Sequence, residues 1–143
     1  MLPLSVGSRY SKALGAILLA GFLIRVATIN FVPALPDEAL FIYDSYQILQ
    51  GQTPMVDYPS RSPAFLYLLA GFLTIGENYF FGARLGIAVI STVVGGLVYL
   101  LTRELHSEEA GLAAAVVFLI TPISLTWGLT VKTELSAQLF VLV

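Results

Sequence analysis

Apolar residues fill positions 13–35 of the chain, broken only by Arg25 and a few small polar side chains, and the run stops at Pro36. A helix of that length crosses the ~30 Å of bilayer hydrocarbon, and Arg9 and Lys12 ahead of it place the N-terminus on the cytoplasmic side. A cleaved leader over 13–24 is the alternative, but further apolar runs downstream favour a retained span. Residues 64–75 form a shorter run between Pro63 and Gly76. At 1.5 Å per residue such a run covers ~18 Å, which predicts a juxtamembrane helix; a tilted span extending through Tyr79 is the other possibility. Residues 79–101 are long enough to cross unaided, and Arg103, Glu104 and His106 then make a polar turn. Ser107 starts the next helix, with Glu108 and Glu109 in the first turn, where the helix dipole favours acids. Residues 110–128 cross back and 135–143 begin another span. The pattern predicts an all-α, polytopic integral membrane protein forming one transmembrane unit, the N-terminal part of a longer protein.

The segment between the first two spans differs. Residues 36–63 hold four of the nine acids and four of the seven prolines. Residues 37–50 read as a surface helix with Asp37 as its cap, Pro36 before it and Gly51 as its stop. Asp37, Phe41, Asp44 and Ile48 fall on one face, which sets the two aspartates ~10 Å apart along the axis. Tyr43 and Tyr46 suit headgroup depth.

Composition narrows the classes. The 143 residues are 57% hydrophobic and 11% charged, beyond what a soluble core hides. A net charge of −2 with scattered basic residues leaves no case for nucleic acid. With no cysteine, any metal needs carboxylate or His ligands, and His106 sits in the inner turn, away from the acids. Gly82, Gly86, Gly95 and Gly96 serve close helix packing. Arg25 either snorkels to the interface or pairs with a loop carboxylate. Adjacent Asp37 and Glu38 at a membrane exit are costly unless water, a cation or a substrate meets them. If 64–75 does not span, Asp37, Asp57, Arg61, Lys132 and Glu134 gather around one outer cavity. Plainer readings exist: Asp37 as a cap only, Asp44 as a polar-face residue, Asp57 and Arg61 as a mutual pair, Arg84 as a headgroup anchor, and Lys132 and Glu134 as a solvated loop.

Three motifs in order, Leu35-Pro36-Asp37-Glu38-Ala39-Leu40-Phe41, Asp57-Tyr58-Pro59-Ser60-Arg61-Ser62-Pro63 and Val131-Lys132-Thr133-Glu134-Leu135, resemble the polytopic GT-C glycosyltransferases, among them protein O-mannosyltransferases and aminoarabinose transferases. Some relatives carry Glu-Lys-Pro or Gly-Lys where this chain has Arg61-Ser62-Pro63. The resemblance implies a GT-C-type fold with juxtamembrane helices in the first outer loop, residues 36–78, and a full enzyme with several more spans, so that this part is expected to be inactive alone. It also implies an inverting enzyme that moves a hexosyl or pentosyl group from a polyprenyl-phosphate donor, such as dolichyl phosphate mannose, to a hydroxyl or amine of a protein, lipid or glycan at the outer face of the cell membrane. Asp37, with Glu38, would be catalytic; Arg61, Lys132 and Arg84 would hold the donor phosphate; Glu134 and Asp57 would be further acids of the cavity. A divalent metal ion is a possible cofactor. The reading from another class is a transporter or membrane assembly subunit with an ion or proton site at Asp37 and Glu134.

Overall fold

The computed structural model describes residues 8–60, 62–76, 78–134, 137 and 141, and among these it is helical without a named strand. Helix α1, Ser8–Thr28, is one of two helices long and apolar enough to cross a membrane; the other is α4, Tyr79–Leu105. The first apolar run was expected to stay helical to Leu35, but α1 ends at Thr28. Pro33 explains the early stop, since its ring has no N–H to donate and would clash with the carbonyl of Ile29.

Helix α2, Pro36–Leu49, closely matches its expected bounds. Pro36 occupies the first helical position, where a missing N–H costs nothing, and Gly51 adopts φ 84° beyond the C-terminus. The cap differs from expectation: Leu35 is the N-cap residue, and the Glu38 carboxylate, not Asp37, accepts from the Leu35 N–H at 2.9 Å. Helix α3, Pro63–Leu73, has 11 residues, or ~16 Å of rise. It buries Phe65, Leu66, Leu69 and Leu73 between α2 and α4.

The α3–α4 contact depends on glycine. A Cβ on Gly82 would stand 2.4 Å from the Phe72 carbonyl oxygen and 2.9 Å from that of Ile75, both fixed backbone, whereas one on Gly96 would find its nearest neighbour, a Leu18 methyl, at 3.7 Å. Gly82→Ala should therefore destabilise the fold by about 1–3 kcal/mol, while Gly96→Ala should be neutral or stabilising by up to about 1 kcal/mol. Thermal unfolding in detergent reads both, and an unchanged midpoint for Gly82→Ala would refute the close approach.

Ser107 caps α5, Glu108–Ile120, as expected, accepting from the Ala110 N–H at 3.2 Å. The run 110–128 is not one helix. It breaks at Thr121, and α6, Pro122–Trp127, follows; proline removes a ladder donor and forces the preceding residue into extended backbone, here φ −58°, ψ 132°. That break settles Arg25. The side chain neither snorkels nor meets a carboxylate: it is fully buried, and its Nη1 donates to the carbonyls of Gly21 and Leu119, each at 3.1 Å. Leu119 lies in the last turn of α5, where carbonyls lack helical partners. Of the expected span at 135–143, all but Ala137 and Val141 lies outside the described residues.

Candidate active site on the surface helix

Asp37 and Glu38 are neighbours in sequence, but a helix turns ~100° per residue, and the two carboxylates meet different surroundings. Glu38 is fully buried. One oxygen, Oε2, accepts from Arg84 Nη2 and the Leu35 N–H, both at 2.9 Å. The other, Oε1, accepts from Arg84 Nε at 3.2 Å and from the Val131 N–H at 2.9 Å, 93 positions along the chain. A forked guanidinium–carboxylate pair of this kind is rigid as well as strong.

Arg84 is equally committed. Besides Glu38, its Nη1 donates to the carbonyls of Ile29 and Val32 at 2.7 Å and its Nη2 to that of Pro33 at 3.1 Å. These partners occupy the five donors of a guanidinium, and the charge also lies 4.9 Å from the centre of the Phe80 ring. Arg84 thus satisfies the carbonyls that Pro33 leaves beyond the end of α1. It has no donor left for a substrate phosphate, and neither Glu38 nor Arg84 lines the cleft described next. The signal in the sequence was one acid and one arginine at membrane depth on separate elements, charges that must find each other when buried.

Because Glu38 fixes Val131, the residues that follow are held beside α2. Asp37, Phe41 and Asp44 line a cleft of about 460 Å³, as their shared helical face predicted, together with Lys132, Thr133 and Glu134 from the far end of the chain. Leu40, Pro59 and Ser60 complete it. That volume lies within the range of small-molecule sites, ~300–1,000 Å³. Lys132 Nζ lies 4.2 Å from the centre of the Trp127 ring, a cation–π contact that orients a flexible ammonium. Burial raises the pKa of the Asp44 carboxyl, and the pKa of Tyr58 is raised by burial first and by the Asp44 charge second. Tyr58 in turn donates its O–H to the Asp44 backbone carbonyl at 2.7 Å.

Asp57 stands apart from the cleft. It is exposed, and its carboxylate accepts from the Thr53 N–H at 2.6 Å, closing the turn before α3. Arg61 lies outside the described residues. Among the described residues no three His, Asp or Glu side chains converge as a metal site.

Residues 60–143, more than half of the chain, match the family described as dolichyl-phosphate-mannose-protein mannosyltransferase. The chain belongs to this family. A search of curated proteins and one of solved structures returned no match. Membership in the mannosyltransferase family, together with the two apolar helices, makes this a membrane protein of glycosyltransferase type, from a family that uses a polyprenyl-phosphate-linked sugar donor. The matched region starts after Asp37 and Glu38, and in this mannosyltransferase-like chain Glu38 joins the acidic helix to the matched part through both Arg84 and the Val131 N–H, beside the packing of α2 on α3.

Proposed function

We propose that the chain forms part of an inverting glycosyltransferase of a multi-pass cell-membrane protein, acting at the outer face on a polyprenyl-phosphate sugar, with the cleft beside α2 as its active site. One observation carries this reading: Asp37 and Glu134 stand with Lys132 around a single cleft, although they come from distant parts of the chain. Asp37 takes the proton of the acceptor hydroxyl or amine as the acceptor oxygen or nitrogen bonds to the anomeric carbon. The bond from that carbon to the phosphate oxygen breaks, and the lipid phosphate leaves with the electron pair. Attack opposite the leaving group inverts the configuration. Three cleft carboxylates, Asp37, Asp44 and Glu134, outnumber one ammonium, so the leaving phosphate belongs at the Lys132 corner, where positive charge stabilises it. Arg61 is a second candidate for that contact. Glu134 is proposed as an acid toward the acceptor side, whereas Asp57, which closes the turn before α3 outside the cleft, is left out of this role. Glu38 and Arg84 act here as positioning residues: they hold Val131, and with it Lys132, against α2.

In the intact protein, Lys132→Gln should lower kcat/KM for the lipid-linked donor about 10- to 100-fold, the value of a lost charge-assisted bond, and Lys132→Arg should recover part of it. Product analysed by NMR should carry the inverted anomer. Retention of configuration, or unchanged donor kinetics in Lys132→Gln, would remove this reading.

A further inference from the structure

We propose that Phe41 and Asp44 form the subsite for the donor sugar, with the Asp44 carboxylate accepting hydrogen bonds from ring hydroxyls remote from the reacting carbon and the Phe41 ring carrying the sugar's apolar face. The proposal rests on the reading of Asp37 as the base and extends it to what the rest of the same helix face recognises.

Four observations converge. Asp37, Phe41 and Asp44 all line the cleft, spaced by roughly one turn each along α2. The Asp44 carboxylate is half-buried and has no partner among the described residues, while the Tyr58 hydroxyl holds the backbone at that position. The Phe41 ring is set by an edge-to-face contact with Phe65, with centroids 5.4 Å apart and planes at 87°, so an aromatic surface of fixed orientation stands between the two acids. The fold also gains nothing from the Asp44 charge. Burial raises its pKa, so the folded state favours the protonated acid, and the residue's contribution to stability falls as pH rises past the unfolded value of about 3.9. An unpaired, partly desolvated carboxylate held at a fixed place in a cleft is suited to a ligand rich in donors.

The chemistry of the cleft selects the ligand. A carboxylate repels the phosphate, which goes to Lys132, the ammonium that lines the same cleft. Sugar hydroxyls are neutral donors that a carboxylate accepts well, and a pocket combining one aromatic surface with a few placed polar groups is a common form of small-molecule site. With Asp37 at the acceptor hydroxyl, Asp44 lies ~10 Å further along the helix axis, beyond the reacting carbon and on the far side of the transferred ring.

The test uses the intact enzyme with polyprenyl-phosphate mannose and its monodeoxy analogues. Asp44→Asn should leave the unfolding midpoint at neutral pH unchanged or higher. It should lower kcat/KM for the natural donor by about tenfold or more, and for one deoxy analogue the preference of the wild type for the hydroxylated donor should collapse toward unity. Phe41→Leu should weaken donor binding, and Phe41→Trp should preserve it. Discrimination unchanged in Asp44→Asn at every position, or an effect confined to the acceptor KM, overturns the subsite. Asp37→Asn separates the two failures. If it is inactive while Asp44→Asn keeps full discrimination, only the subsite falls; if it transfers normally, the underlying reading falls first.

Discussion

Asp37→Asn is expected to lower sugar transfer about 10²- to 10⁴-fold, the usual contribution of a positioned general base, while leaving the unfolding midpoint essentially unchanged. The asymmetry follows from the placement of the side chain. Asp37 is exposed at the cleft wall, and the capping bond at the start of α2 is made by Glu38. Asparagine keeps the shape and the helix position but cannot accept a proton at neutral pH. A single-turnover assay with saturating donor reads the chemical step directly. Full turnover in Asp37→Asn would return the residue to a role at the helix start, and a large fall in stability would mean that the carboxylate braces the fold.

Arg84→Met should produce the largest loss of stability, about 3–5 kcal/mol, because it leaves Glu38 charged and buried without its partner. The carbonyls of Ile29, Val32 and Pro33 lose their donor in the same step. Adding Glu38→Leu removes the orphaned charge, so the double variant should regain much of the stability, since a buried pair replaced by apolar groups is often neutral. Activity should not return with it. The Val131 N–H would then lack its acceptor, and Lys132 and Glu134 would no longer be tied to α2. Chemical unfolding and donor kinetics on the two single variants and the double variant measure both effects. Recovery of activity along with stability would show that the tie is dispensable.

Local signals in the sequence carried the elements that depend on a few neighbouring residues. Gly51 as the stop of α2, Ser107 as the cap of α5 and the shared face of Asp37, Phe41 and Asp44 each need only a turn or two of chain. The break of the apolar run at Thr121 was hidden because hydropathy is continuous through Pro122, even though proline alone carried the information. Distant partners were not legible beyond the general need of a buried acid and arginine such as Glu38 and Arg84 to pair. Nothing near Arg25 indicates that it meets the Leu119 carbonyl, and nothing near Glu38 indicates Val131. The Asp37-Glu38 pair reads as one chemical unit in sequence, and only the turn of the helix and the packing of α4 assign one acid to the interior and the other to the cleft. For the same reason Arg84, a natural phosphate ligand when seen alone, turns out to have its hydrogen-bonding capacity filled by protein.

The Arg84 guanidinium joins the chain just after α1 to α2 and α4, and through Glu38 to the strand of chain that carries Lys132. A spanning helix adjusts its tilt to the thickness of the surrounding lipid at a cost of only fractions of a kcal/mol per Å. With these parts fastened at one point, such tilting carries both walls of the cleft together. Under the proposed function, lipid thickness would then set the depth of Asp37 relative to the headgroups, while Asp37, Lys132 and Glu134 move together as one frame.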